Sequence, residues 1–220
     1  MSLRSLYLLL LLPALSSAAH ICTADPVSAD KRNEFQVWGG NSQVSGGPIS
    51  TTPNRQFTAV GLLYSRRCWS WSRTSLSYNI GVLPAAIVRV PTNFTLPIGV
   101  GTGPIIIIAT GPLVLAHHVY GFAATPIGFT FDAWRTRRLY PFLQADGGLS
   151  KSAEPVPYTE YPSGTRGNFL MSLGGGVKIR AGKSIAFSLG YKLMHLSNAG
   201  RSFNPGLDNN VLFAGISLLK

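Results

Sequence analysis

The segment 190–210, "GYKLMHLSNAGRSFNPGLDNN", contains three residue types that together can perform nucleophilic catalysis. His195 and Ser197 are two residues apart, and Asp208 follows after a polar stretch. A serine hydroxyl becomes an effective nucleophile when a neighbouring base removes its proton, and a carboxylate can orient that base and support the imidazolium. The pattern therefore indicates one of two things: a hydrolytic site, or two polar residues that lie without chemistry at the edge of a membrane.

The histidine and serine end a stretch in which large and small side chains alternate. Between positions 185 and 197 the odd residues are large and apolar up to Leu193, while the even residues are mostly small or polar and include Lys192. Successive side chains of a strand point to opposite faces, so His195 and Ser197 share the apolar face with their Cα atoms about 6.5–7 Å apart. The segment 168–179 repeats the same alternation.

Such alternation is typical both of soluble sandwiches and of membrane barrels, whose apolar face meets lipid. The glycine-rich small face, strands of about ten residues or more, and connections that alternate between short and long favour the barrel. The predicted strands lie near 34–42, 56–65, 74–88, 118–131, 138–150, 166–180, 184–197 and 210–219. The sequence therefore predicts an all-β fold, an eight-stranded antiparallel outer-membrane β-barrel.

The beginning of the chain and one internal stretch depart from this alternation. Residues 1–19 combine an early arginine, a short apolar run and small residues, which predicts a secretory signal peptide, with 20–220 forming one barrel domain in the bacterial outer membrane. Residues 90–131 contain no Asp, Glu, Lys or Arg, and their prolines and glycines argue against a membrane-spanning helix. We therefore expect an apolar insertion near 92–117. In an exported protein Cys22 and Cys68 either pair or remain two free thiols.

The charge of the chain narrows the class of partner. The formal net charge is +11, yet charged residues make up only 12% of a chain that is expected to be exported. Lipopolysaccharide phosphates or other anionic lipids are therefore the expected partners, and nucleic acid is not. His117 and His118 are adjacent and would point to opposite faces of a strand, without further ligands at metal-binding spacing. We expect neither a metal nor a cofactor.

Several segments of the second half resemble one family of enzymes. "YPFLQADGG", "GGGVKI", "LGYKLMHLSNAG" and "NPGLDNNVLFAGIS" resemble the lipid A 3-O-deacylases, the PagL-like acyloxyacyl hydrolase family. The resemblance implies an outer-membrane barrel that hydrolyses the ester at position 3 of lipid A. It also implies that His195 is the general base, Ser197 the nucleophile and Asp208 the orienting acid, where better-known members carry Glu.

The residues after the serine complete the expected site. By the same resemblance, Asn198 or the backbone N–H of Gly200 would hold the oxyanion. Arg201 lies beside these residues and is placed to meet a lipid A phosphate, unless it is simply a solvated arginine of the loop.

Two other functions remain compatible with the sequence. One is a small outer-membrane barrel without catalysis, which the change from Glu to Asp favours. The other is a soluble periplasmic lipid carrier of the lipocalin type, because the chain ends in Lys220 rather than in an aromatic residue. If Asp208 is only a turn residue, Asp146 and Glu160 are the alternative acids for His195.

Overall fold

The computed structural model describes residues 33–42, 45, 47–50, 52, 55–94, 113–156, 164–198, 200 and 206–220. Every regular element among them is a strand, and the strands alternate side chains between two faces as the sequence predicts. The strands are β1 (Asn33–Ser42), β2 (Gln56–Trp71), β3 (Thr74–Phe94), β4 (Leu113–Asp132), β5 (Leu139–Val156), β6 (Thr165–Arg180), β7 (Ile185–Ser197) and β8 (Leu207–Leu219).

The eight strands close into one antiparallel barrel in sequence order, with β1 paired to β8. The predicted fold class is thereby confirmed. The connections 72–73, 133–138 and 181–184 lie at one end, which also holds the paired residues Asn33 and Lys220 and is called the turn end below. The opposite end, called the loop end, carries the connections 43–55, 95–112, 157–164 and 198–206.

The outer surface of the barrel carries a belt of exposed apolar side chains. Leu212 is 68% exposed and Leu173 is 64% exposed, although both belong to regular paired strands. Exposure of so large an apolar surface to water is unfavourable, whereas contact with the hydrocarbon of a bilayer is favourable. The belt includes Phe35, Val37, Leu62, Leu143, Leu149, Phe169, Met171, Leu173, Phe187, Leu189, Tyr191, Leu212, Ile216 and Leu218.

The interior is filled by side chains and leaves no wide channel in the described part of the barrel. Trp38 and Phe142 each contact Phe213 edge-on, with ring centroids 5.8 and 6.2 Å apart. The ammonium of Lys192 lies 4.4 Å from the Trp38 ring centroid and 4.6 Å from that of Phe213. A barrel of eight strands is narrow enough for side chains to fill its interior. In this barrel the aromatic side chains and Lys192 occupy that space.

An ion cluster lies inside the turn end. Lys178 Nζ is 2.9 Å from Glu34 Oε2 and 3.3 Å from Asp132 Oδ1. Ser217 donates a hydrogen bond of 2.7 Å to the second oxygen of Glu34. The cluster joins β1, β4, β6 and β8 across the interior. Its ion pairs and its hydrogen bond compensate these charged groups for the water that they lose inside the barrel.

The strands extend further than predicted at the loop end. β3 and β4 stay paired out to Phe94 and Leu113, so 92–94 and 113–117 belong to strands, and only 95–112 of the expected apolar insertion lie outside the described residues. β5 continues to Val156 because its polar end pairs again with β6. Cys68 is disulfide-bonded, and Cys22 and the predicted signal peptide lie outside the described residues. None of the described residues forms a helix long and apolar enough to cross a membrane.

Candidate active site

The register of the last hairpin places a histidine directly beside a carboxylate. β7 and β8 pair antiparallel with His195 opposite Asp208. Residues that face each other across such a ladder point to the same side of the sheet, here the outer surface. The imidazole Nδ1 lies 2.5 Å from Asp208 Oδ1, so the two side chains are in direct contact.

Asp208 is fully buried although it belongs to the outer face of the barrel. Described residues of the connection between β1 and β2 cover it from the outside. The backbone N–H groups of Ile49 and Ser50 donate hydrogen bonds of 3.0 and 2.9 Å to Asp208 Oδ2. Hydrogen bonds from N–H groups stabilise the ionised form of a carboxylate, so these contacts favour an anion beside His195.

This contact also indicates the tautomer of the neutral imidazole, because an ionised carboxylate can only accept a hydrogen bond. Nδ1 donates to the carboxylate, so the neutral ring of His195 carries its lone pair on Nε2. The side chain of His195 is 13% exposed, while that of Asp208 is not exposed at all. The histidine therefore has one face held by protein and a narrow opening toward the outer surface.

Ser197 follows His195 on the same outward face and ends β7. It pairs with Phe169 of β6, and His195 pairs with Met171. Phe169 is 45% exposed and Met171 is 59% exposed, and both belong to the apolar belt. The histidine and serine therefore lie where the belt reaches the loop end, with apolar neighbours along β6.

The two residues expected to hold an oxyanion are bonded to each other. The N–H of Gly200 donates a hydrogen bond of 3.0 Å to Asn198 Oδ1, and Asn198 is buried. Gly200 has a φ of +75°, a conformation that favours glycine. The loop after Ser197 thus begins with a tight turn that the Asn198 side chain stabilises.

The alternative acids do not join His195 in the described structure. Asp146 accepts hydrogen bonds from Gln144 and Ser172 at 2.6 and 3.1 Å inside the barrel, on the other side of the wall. Glu160 lies outside the described residues, as does the proposed phosphate-binding Arg201. Of the three acids considered, only Asp208 is described in contact with the histidine.

The adjacent histidines of β4 have a simpler role. His117 Nε2 lies 2.9 Å from Glu154 Oε2, and His118 is exposed. Among the described residues there is no group of three or more His, Cys, Asp or Glu that could hold a metal ion.

Sequence reasoning missed the residues that cover Asp208. Gly47, Ile49, Ser50 and Thr52 lie more than 150 positions from the carboxylate along the chain, as the separation of 158 residues between Ser50 and Asp208 illustrates. The stretch that contains them, "GGPISTT", has a composition typical of an ordinary polar turn. Only the closure of β1 against β8 brings this connection to the site.

Comparisons with known proteins identify the family of the chain. The model of the family described as lipid A 3-O-deacylase (PagL) matches residues 108–217, which is half of the 220-residue chain. A comparison with curated protein sequences found no match.

Solved structures resemble the chain in fold. The crystal structure of the outer membrane enzyme PagL matches with a TM-score of 0.51 and 18% identity, covering 83% of this chain and 97% of that one. Neisserial surface protein A matches with a TM-score of 0.48 and 9% identity, covering 84% and 96% of the two chains. OprG from Pseudomonas aeruginosa matches with a TM-score of 0.47 and 9% identity, covering 87% and 97%. The family match extends over half of the chain and includes His195, Ser197 and Asp208, and on that match the chain belongs to the lipid A 3-O-deacylase (PagL) family.

Proposed function

We propose that the protein is a serine esterase of the bacterial outer membrane that removes the 3-O-linked acyl chain of lipid A. The observation that carries this proposal is the 2.5 Å contact between His195 Nδ1 and Asp208 Oδ1 on the outer face of the barrel. Ser197 shares that face two residues away, beside exposed apolar side chains of β6. An ester within a membrane lipid reaches such a site from the bilayer without leaving the membrane.

The reaction follows from the proposed roles. Nε2 of His195 accepts the proton of the Ser197 hydroxyl while Oγ bonds to the carbonyl carbon of the ester, and Asp208 stabilises the imidazolium. Collapse of the tetrahedral intermediate breaks the bond to the sugar oxygen, which takes the proton from His195. Water then attacks the acyl-enzyme with His195 again as the base, which releases a fatty acid and regenerates Ser197. These steps require no metal and no cofactor.

Asn198 and Gly200 are the proposed donors for the negative oxygen of the intermediate. Because the N–H of Gly200 bonds to Asn198 Oδ1 in the free protein, it must exchange that oxygen for the substrate oxygen during the reaction. Arg201 follows directly in sequence, and we assign to it a contact with a lipid A phosphate. The net charge of +11 favours the same anionic substrate.

The decisive experiment compares the lipid A of cells that express the wild type, Ser197→Ala or Ser184→Ala. Ser184 lies at the other end of β7, in the turn before it, and serves as the control for loss of a hydroxyl. Mass spectrometry should show loss of one hydroxyacyl chain with the wild type and Ser184→Ala but not with Ser197→Ala. Fragmentation of the product should place the missing chain at position 3.

A lipophilic fluorophosphonate provides an independent test, because it should label the wild type and leave Ser197→Ala unlabelled. Unchanged lipid A in cells that contain folded wild-type protein in the outer membrane would contradict the proposed activity. Absence of labelling in the same protein would favour a barrel without catalysis.

A further inference from the structure

The connection between β1 and β2 reaches across the barrel seam to the start of β8. Ser45 forms an isolated antiparallel bridge with Asn209, the neighbour of Asp208. The Ser45 hydroxyl accepts a hydrogen bond of 2.7 Å from Arg55 N and donates one of 3.1 Å to Thr52 O. These bonds link Ser45 to the described residues Thr52 and Arg55. We call the described residues Ser45, Gly47–Ser50 and Thr52 the clamp segment.

Ser50 and Asp208 bond to each other twice. The N–H of Ser50 donates to Asp208 Oδ2 at 2.9 Å, and the N–H of Asp208 donates to Ser50 Oγ at 3.1 Å. Ile49 N adds a third bond to the same carboxylate oxygen at 3.0 Å. Oδ2 is thereby fixed by the clamp segment, which leaves Oδ1 to face His195 Nδ1.

Thr52 holds the backbone just before the carboxylate. Its hydroxyl donates a hydrogen bond of 2.7 Å to the carbonyl of Gly206, and Thr52 is buried. Gly206 has a φ of +62°, and an added Cβ there would lie 3.0 Å from His195 Cε1 and 3.3 Å from Ser50 Cβ. The entry to β8 is thus packed between the clamp segment and the imidazole.

Gly47 lies against the carboxylate itself. A Cβ at this position would lie 2.5 Å from Asp208 Oδ2 and 2.8 Å from Asp208 Cβ. No side chain fits there unless the carboxylate moves. Any such movement would rotate Oδ1 away from the histidine, because both oxygens belong to one rigid planar group.

We propose that the clamp segment is a positioning device for the catalytic acid, with Ser50 and Thr52 as positioning residues; this inference rests on the proposed function. A short aspartate opposite a histidine can rotate about its side-chain bonds, and only some of these rotations present a carboxylate oxygen to Nδ1. The clamp segment selects such a rotation with neutral N–H and O–H groups. A lysine or arginine in their place would neutralise the carboxylate and weaken its support of the imidazolium.

The experiment compares two matched pairs of variants in purified protein with lipid A as substrate. Gly47→Ala introduces a methyl group against Oδ2, whereas Gly167→Ala introduces one at the loop end of β6, where no atom lies within 4 Å of the new Cβ. Thr52→Val removes the hydroxyl but keeps the shape, whereas Thr52→Ser keeps the hydroxyl. The heat-dependent mobility of folded barrels on gels verifies that each variant is closed.

We expect kcat to fall on the order of 30-fold in Gly47→Ala and on the order of tenfold in Thr52→Val, with KM unchanged, because misplacement of the acid affects the transition state rather than lipid binding. Gly167→Ala and Thr52→Ser should stay within about threefold of the wild type.

The same kcat in Gly47→Ala and Gly167→Ala would refute the proposal that the clamp segment positions Asp208. A change in Thr52→Val that appears in KM alone would refute it as well. Neither result would affect the proposed esterase, which fails only if the wild type does not deacylate lipid A. The two failures are therefore distinguishable within one set of assays.

Discussion

The ion cluster at the turn end and the histidine–aspartate pair at the loop end both bury carboxylates, but they surround them differently. Glu34 and Asp132 meet the ammonium of Lys178, a permanent cation, inside the barrel. Asp208 meets a titratable imidazole and the N–H groups of Ile49 and Ser50 on the outer face. The first arrangement shares one ammonium between two carboxylates. The second places one carboxylate between neutral N–H groups and an imidazole, with no permanently charged partner among these contacts.

The two groups also differ in what can reach them. The side chains of the ion cluster, Glu34, Asp132 and Lys178, point into a filled interior where a lipid has no access. His195 and Ser197 face outward next to Phe169 and Met171, which an acyl chain can contact from the membrane. Burial of ionisable residues alone therefore does not mark the site in this barrel. Two features distinguish the candidate site from the ion cluster. Its side chains lie on the outer face of the barrel, and its carboxylate contacts an imidazole rather than an ammonium.

The largest expected effect is loss of the base. His195→Ala should lower turnover on the order of 10³- to 10⁴-fold, because it removes the proposed acceptor of the Ser197 proton. His118→Ala, which removes an exposed histidine from β4, is the control and should behave as the wild type. The measurement is the rate of fatty acid release from lipid A by folded, purified protein. Turnover of His195→Ala within tenfold of the wild type would exclude the histidine as the base.

Removal of the cation at the turn end should affect stability instead. Lys178→Met leaves two buried carboxylates without their counter-charge, which typically costs about 3–5 kcal/mol of unfolding free energy. Urea unfolding of the barrel in detergent measures this loss, with Lys183→Met in the neighbouring turn as the control. The turnover of the folded fraction should stay within about twofold of the wild type, since the cluster does not touch the site. A large fall in turnover by fully folded Lys178→Met would remove the functional contrast between the two ends.

The sequence predicted most of this architecture and part of the site. Period-two alternation from Ile185 to Ser197 was sufficient to predict a strand with His195 and Ser197 on its apolar face, because this is a local consequence of backbone geometry. The outward direction of that face depended on predicting a membrane barrel from the glycine content, strand lengths and connection lengths. The acid for His195 was predicted only through family resemblance, and the register of β7 with β8 places Asp208 opposite His195. The contacts of Ser50 and Gly47 with Asp208 depend on closure of the first strand onto the last, which no local pattern records.

The next largest expected fall in turnover is that caused by removing the charge of Asp208. In Asp208→Asn the amide oxygen should turn toward the N–H groups of Ile49 and Ser50, which require an acceptor. The amide NH₂ would then face His195 Nδ1 and favour the tautomer with its proton on Nε2, where it cannot accept a proton from serine. Such a change costs roughly 10⁴-fold in a soluble triad, and at a water-accessible rim we expect a loss on the order of 10²-fold.

The control for this variant is Asp146→Asn, the same chemical change inside the barrel. Initial rates with lipid A and rates of fluorophosphonate labelling should both fall in Asp208→Asn and hold in Asp146→Asn. Near-wild-type rates in folded Asp208→Asn would leave His195 and Ser197 as a dyad and return the search for an acid to Glu160.

The smallest effect concerns the length of the acid. Family resemblance alone predicts that Asp208→Glu retains full activity, because better-known members carry Glu. The structure predicts a loss on the order of tenfold, because an added methylene lengthens a side chain that already contacts the clamp segment at Gly47. The longer carboxylate must displace that segment or turn away from His195, and either movement weakens support of the imidazolium. Measured kcat decides between the two expectations. A kcat of Asp208→Glu equal to or above that of the wild type would show that the clamp segment moves to accommodate the longer side chain and does not position the acid.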